Sequence, residues 1–239
     1  MNGILNLSKQ PRQLLASELR PILLELKNIQ MKRGNKIVLQ NVDLTVRKGD
    51  FFAITGPNGG GKTTLIRIIL NLLKPTAGKV ISHRETLSIG YLPQKSSIDT
   101  AFPITVSEVI SSGLLNAKLS KDEREERVGE MIKLLDLEQH KNKPIGSLSG
   151  GQQQRALFAR SIISKPELLV LDEPLSYIDK NFEQKIYDII ERISPDMTIL
   201  MVSHEITRAA SMANRHIIVN GEITECPSAH HFAKIALCE

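Results

Sequence analysis

The sequence predicts an α/β fold with a mixed core sheet, an antiparallel β arm and an inserted helical subdomain. Three observations carry this. A short apolar run, Phe51–Thr55, leads straight into glycine and then into the helix-periodic segment Thr63–Leu73, giving the order strand, loop, helix. Two more apolar runs, Leu168–Leu171 and Thr198–Val202, flank an amphipathic segment at Asn181–Ile193 and read as buried strands around a helix. From residue 95 to 147 no run reads as a central strand, and helical, highly charged patterns take over.

The elements follow in order. Residues 1–21, with Gly3, Pro11 and scattered charges, are expected to form a loosely held extension. Leu23–Ile29 and Val38–Val46 alternate as strands around a turn at Gly34–Asn35, so the fold begins antiparallel, and Lys48–Asp50 ends that arm. After the Thr63–Leu73 helix, Pro75–Gly78 is a turn and short strands are expected at Lys79–Ser82 and Leu87–Leu92. Thr105–Leu115 reads as a helix that weakens at Gly113, and Ser120 with Glu123 forms a capping box for a charged helix to about Leu135. Gly150–Ser164 is a helix stopped before Pro166, and Pro195 closes the helix at Asn181–Ile193. Glu205–Met212 is a short helix, His216–Val219 a strand, Asn220–Gly221 a hairpin-type turn, and the tail from Ser228 one more helix. One domain over 22–239 is expected, its core formed by 22–94 and 148–239.

Composition narrows the function. The chain is 41% hydrophobic and 24% charged, which fits a folded soluble domain and not a disordered one. Zero Trp and 4% aromatic residues argue against a base-stacking or sugar-binding platform. The net charge of +5 suits anionic partners without selecting one, and the run Lys121–Arg127 alternates in sign like a solvated helix face. No nucleic-acid partner is expected. Cys226 and Cys238 make no disulfide framework, so a reducing compartment is the simplest setting. No stretch approaches the roughly 20 apolar residues of a membrane span, and residues 1–21 lack the pattern of a signal peptide.

Gly56–Thr64 reads GPNGGGKTT and contains GxxxxGK[ST] in full. Glycines allow backbone N–H groups to converge on phosphate oxygens, and the following helix points its positive end at the same charge. Gly56, Pro57, Asn58, Gly59, Gly60, Gly61 and Thr64 therefore form the cradle. Lys62 is placed for the β- and γ-phosphates, and Thr63 offers a hydroxyl to Mg2+. Leu168–Glu173, LLVLDE, supplies a core strand that presents Asp172 to the metal shell and Glu173 to an attacking water. His204 follows the Thr198–Val202 strand and would reach the γ-phosphate if that strand lies beside Phe51–Thr55; a strand-end histidine alone is more often structural. Gln94 follows the Ile89–Leu92 strand and has an amide oxygen for Mg2+ or water, an assignment the residues alone leave open.

The segment LSGGQQQR at Leu148–Arg155 is a second anion-binding signal, a serine and two glycines at a helix start. On its own it could as well be a simple helix cap. With the other motifs it resembles the ATP-binding subunits of ABC transporters, over roughly Leu23 to Ala229. In that resemblance Gly56–Thr64 is Walker A, Gln94 the Q-loop glutamine and Leu148–Arg155 the signature. Leu168–Asp172 is Walker B with Glu173 as catalytic glutamate, Ser176–Asp179 is the D-loop, and His204 is the switch histidine.

The resemblance implies an ATPase that uses Mg-ATP, with Lys62, Gln94, Glu173 and His204 as catalytic residues. It implies a head-to-tail homodimer in which Ser149, Gly150, Gly151 and Gln152, with Asp179, complete the partner's nucleotide site. Transmembrane permease subunits would dock near residues 94–115, with a solute-binding protein acting through them, at the cytoplasmic face of the membrane. Phe102, Pro103, Thr105, Val106, Val109 and Gly113 are similar to a pattern in zinc and manganese importers and, more distantly, iron-chelate importers. The alternatives are lipid or drug export, or a soluble ATPase on ribosomes or DNA, which usually carries two cassettes or a long coiled-coil insertion. Two positions depart from the family. Arg33 stands where an aromatic residue usually stacks on adenine, a role a guanidinium plane can fill, and Leu175 replaces a common Thr or Phe. His216, His230 and His231, with Cys226 and Cys238, lack metal-site spacing, Cys226 is expected in a loop, and no metal site is expected there.

Overall fold

The computed structural model describes residues 19–94, 103–203 and 206–226. In chain order its strands are β1 (Ile22–Arg33), β2 (Lys36–Arg47), β3 (Phe51–Thr55), β4 (Ala77–Ser82), β5 (Ile89–Leu92), β6 (Leu168–Asp172), β7 (Thr198–Val202), β8 (Arg215–Asn220) and β9 (Glu222–Cys226). The helices are α1 (Lys62–Ile69), α2 (Val106–Ser111), α3 (Lys121–Leu134), α4 (Gly150–Ile162), α5 (Lys180–Ile193) and α6 (Ile206–Met212).

β1 and β2 pair antiparallel across the expected two-residue turn, where Gly34 takes φ 56, and β4 joins the other side of β1. Both long strands outrun the alternation visible in the sequence because register shifts interrupt it, one between Leu26 and Ile29 around Asn28 at φ 50. The central sheet has the order β5-β6-β7-β3-β8-β9. Its first five strands run parallel and β9 returns antiparallel through Gly221, so the sheet is mixed. Cys226, expected in a loop, instead ends β9 opposite His216. β9 is a polar edge strand held by backbone pairing, so it has no apolar run to announce it.

Strand parity divides the core. Phe51, Ala53, Leu169, Leu171, Ile199 and Met201 point to one face and pack with α2 to α5. Phe52, Ile54, Leu168, Val170, Leu200 and Val202 point to the other and pack with α1 and the arm. Every residue of β3, β6 and β7 is buried, as strands covered on both faces must be. α1 is shorter than predicted: the chain leaves the helix at Leu70, Asn71 takes φ 55, and Leu72 is exposed. The weakening expected at Gly113 is a tightening to a 3-10 turn over Ser112–Leu114, where a Cβ on Gly113 would lie 2.3 Å from the Arg160 carbonyl oxygen. Among the described residues between 103 and 147 there is no central strand, only helical turns and one isolated bridge, Thr105 to Pro144.

Residues at the expected edge of the extension are already part of the fold. Arg20 pairs with Asp50 at 2.6 Å, and Lys48 N–H donates to the Pro21 carbonyl. The remainder, 1–18, lies outside the described residues.

Candidate nucleotide-binding site

The loop at Gly56–Thr64 sits at the carboxyl end of β3, where open α/β sheets place ligands. Its glycines are required by contact as well as by conformation. A Cβ on Gly56, at φ 133, would come within 2.2 Å of the Val219 carbonyl oxygen, and one on Gly60 within 2.6 Å of the same atom. Gly221 N–H donates to the Gly60 carbonyl at 2.9 Å, pinning the loop to the β8–β9 turn. Gly61 at φ 106 precedes α1 and offers no side-chain cap, so the first-turn N–H groups of α1 have no intrahelical acceptor. Lys62 Nζ donates to the carbonyls of Gly56 and Pro57 at 2.8 and 2.9 Å. Burial lowers the pKa of this ammonium, opposed by the charges of Glu173 and Asp172. Pro57, Asn58 and Gly59 are exposed at the rim, and Thr63 and Thr64 lie on the first turn of α1.

Asp172 ends β6 opposite Val202 of β7 and is 1% exposed. Neither carboxylate oxygen has a hydrogen-bond partner among the described residues. Burial pushes its pKa up to about 6 and the Glu173 charge adds to this. The nearby Thr63 hydroxyl and the charges of Lys62 and Arg67 oppose it. An orphaned buried carboxylate beside a threonine hydroxyl and a phosphate cradle fits a hard dication. Glu173 takes φ 54, donates its N–H to Val202 O at 3.0 Å and accepts from the Ser176 hydroxyl at 3.3 Å. A left-handed non-glycine residue here is local backbone strain, at the position predicted to hold the attacking water.

The sheet order brings the predicted catalytic strands together. β7 lies directly between β6 and β3, with Val202 opposite both Asp172 and Ile54. His204 follows β7 but lies outside the described residues, as does Phe102. Gln94 is exposed just past β5, which borders β6. Arg33 is exposed at the β1–β2 turn, opposite Lys36. His216 is buried with Nε2 2.8 Å from the Thr55 hydroxyl, a packing role beneath the phosphate loop. Among the described residues no three His, Cys, Asp or Glu side chains cluster as a metal site, and His230, His231 and Cys238 lie outside them.

Ser149, Gly150, Gly151 and Gln152 line a separate open cleft of about 490 Å³ with Arg155, Tyr177 and Asp179. No residue of the phosphate loop lines it. Ser149 caps α4 in a full capping box, accepting from Gln152 N–H, while Ser149 N–H donates to Gln152 Oε1 at 3.1 Å. The motif therefore does cap a helix, with Gly150 and Gly151 on its first turn. Gly151 is needed for space, since a Cβ there would lie 2.8 Å from the Tyr177 carbonyl oxygen, whereas a Cβ on Gly150 would meet the Tyr177 side chain at an ordinary 3.5 Å. Asp179 caps α5 through Phe182 N–H, which lowers its pKa, and pairs with Arg155 at 2.9 Å. Arg155 also stacks 3.5 Å from the Phe182 ring centroid. Sequence reasoning left out Arg155 and Tyr177 as cleft residues. Each belongs to a motif already recognised, but their part depends on how α4 and α5 meet.

Comparison with known proteins agrees with this geometry. A family model described as "ABC transporter" matches residues 39–176. The chain is 39% identical over 214 residues to "Zinc import ATP-binding protein ZnuC" of Rickettsia bellii, covering 88% of each. It is also 39% identical over 214 residues to "Probable metal transport system ATP-binding protein" of Chlamydia trachomatis, covering 86% of this chain and 90% of the relative. Among solved structures, a dimeric post-hydrolysis state of an ATP-binding cassette bound to ADP and Pi superposes with TM-score 0.75. That cassette is 29% identical, and the match covers 86% of this chain and 99% of the other. The phosphate loop, the acidic end of β6 and the capped cleft at Ser149 thus have one explanation: the chain belongs to the ABC transporter family, as one of its ATP-hydrolysing subunits.

Proposed function

We propose that this chain energises the import of a divalent metal, zinc or manganese, by binding and hydrolysing Mg-ATP between two copies of itself. The names of the Rickettsia and Chlamydia relatives support the metal, and the Phe102–Gly113 stretch agrees with them. The observation that carries the mechanism is the separation of two anion-ready surfaces. The phosphate loop and the Ser149 cleft share no lining residue, so a second copy arranged head to tail would complete each site.

In this reading Gly56–Thr64 holds the phosphates, with Arg33 against the base, and Lys62 turns from the Gly56 and Pro57 carbonyls to the β- and γ-phosphates. Thr63, Asp172 and Gln94 would hold Mg2+, which would neutralise charge on the β- and γ-phosphate oxygens. Glu173 and His204 orient the attacking water, and Glu173 takes its proton as the bond from the γ-phosphorus to ADP breaks. Ser149, Gly150 and Gly151 of the partner grip the γ-phosphate, and Gln152 and Asp179 hold that helix end in place. Closure excludes water around the reacting groups, and hydrolysis removes the ligand that joins the halves. Permease subunits docking near residues 94–115, served by a solute-binding protein, place the chain at the cytoplasmic face of the membrane.

Replacing Glu173 tests this. In vesicles containing the chain with its native permease, Glu173→Gln should bind ATP normally, accumulate as an ATP-bound dimer and lose turnover by about 10²–10⁴-fold, the usual worth of a general base. Zinc or manganese uptake should stop with it. Uptake that continues without hydrolysis, or a variant that stays monomeric at saturating ATP, contradicts the proposal.

A further inference from the structure

We infer that His140 is a positioning residue for the Ser149 cleft: its imidazole fixes the Gln152 amide that closes the cap on α4. This rests on the reading of that cleft as a γ-phosphate site. Gln152 Oε1 accepts from Ser149 N–H at 3.1 Å, so the amide nitrogen must face the other way. That nitrogen lies 3.1 Å from His140 Nε2. An amide NH2 only donates, so Nε2 accepts, and the neutral ring carries its proton on Nδ1. Nδ1 is buried without a partner among the described residues. The ring is thus held in the one arrangement that serves Gln152, at the expense of its other nitrogen.

The backbone around His140 suits that task. His140 ends the 3-10 turn Glu138–His140, its N–H donates to the Leu137 carbonyl at 2.9 Å, and its carbonyl accepts from Lys143 N–H at 2.9 Å. Leu137 beneath it is fully buried. The acceptor is therefore delivered from the helical subdomain on a fixed support.

The consequence concerns which donors face the cleft. The capping box occupies Ser149 N–H and Gln152 N–H. The donors left at this helix end are the Ser149 hydroxyl proton and the first-turn N–H groups of Gly150 and Gly151. If the Gln152 amide turned over, it would place NH2 against Ser149 N–H, open the box and let the serine leave its capping rotamer. His140 prevents this by rewarding only the productive orientation.

Substituting the acceptor tests the inference. His140→Leu should lower ATP turnover by roughly five- to tenfold, the rate equivalent of one hydrogen bond. Fluorescent-nucleotide binding to the phosphate loop and the midpoint of thermal unfolding should stay near wild type. His140→Gln, whose amide oxygen reaches the same place, should restore turnover. In a Gln152→Leu background, His140→Leu should cause no further loss. An unchanged rate in His140→Leu overturns the inference, as does a His140→Gln variant no better than His140→Leu, or full additivity with Gln152→Leu. Loss of turnover in Ser149→Arg with Glu173→Gln still forming dimers would uphold the cleft reading separately from His140.

Discussion

Two aspartates buried in the same sheet have opposite fates. Asp50, at the amino end of β3, is fully buried and accepts from Arg20 at 2.6 Å, from Arg215 at 2.9 Å and from Arg47 N–H at 2.9 Å. Asp172, at the carboxyl end of β6, is just as buried and accepts from nothing described. Arg215 is itself held by Glu225 and the Thr45 carbonyl and lies 4.3 Å from the Phe52 ring centroid. Around Asp50 the fold has matched a charge with charges, which ties the arm, the central sheet and Arg20 together. Around Asp172 it has left a buried carboxylate without a hydrogen-bond partner among the described residues, at the place where the proposed mechanism seats a cation and a triphosphate. One end of the sheet serves stability, and in the proposed mechanism the other serves chemistry.

Removing each charge should therefore act in opposite directions. Asp50→Asn leaves two arginines facing a neutral group and should destabilise the fold by about 3–5 kcal/mol in denaturant unfolding. A smaller loss than for a surface ion pair, under about 1 kcal/mol, would erase the contrast. Asp172→Asn should stabilise the nucleotide-free chain at pH 7 by up to about 3 kcal/mol, since a folded-state pKa of about 6 penalises the ionised form. The same variant should lose hydrolysis. A destabilised Asp172→Asn chain would mean that the carboxylate has structural partners after all.

The smallest effect sharpens the same point through pH. The raised pKa means that the folded chain holds the Asp172 proton more tightly than the unfolded chain does. The Asp172 penalty is absent below about pH 4, grows as pH rises and is complete above about pH 6. Moving the nucleotide-free protein from pH 7 to pH 5 should therefore recover roughly 1 kcal/mol from this group. Thermal unfolding of wild type against Asp172→Asn isolates that contribution, and identical pH slopes would remove Asp172 as its source.

Much of this was legible in the sequence, and the reasons are local. The phosphate loop, β6 and β7 are contiguous runs whose apolar character or glycine content follows from burial on both faces or from close backbone approach. The adjacency of β7 to β3 was a condition in the sequence and a fact only in the sheet order. β9 was missed because a polar edge strand has no burial pattern, and α1 was extended too far because Leu72 and Leu73 continue a helical period that Asn71 breaks. The Asp50 network could not be read at all. Arg20, Arg47, Asp50 and Arg215 are spread over the chain and meet only after folding. Gly150 and Gly151 stood out in the sequence as the start of a helix, whereas Tyr177, whose carbonyl leaves no room for a side chain at Gly151, did not.

The central claim is that the phosphate loop of one copy and the Ser149 cleft of another make one site. Mixing two inactive variants tests it most directly. Lys62→Ala removes the loop's cation, and Ser149→Arg blocks the cleft. A mixed head-to-tail dimer would contain one site doubly damaged and one intact. At saturating Mg-ATP the account predicts that the equimolar mixture regains up to about a quarter of wild-type turnover, as half the dimers are mixed and each carries one working site. A mixture no more active than either variant alone would contradict it.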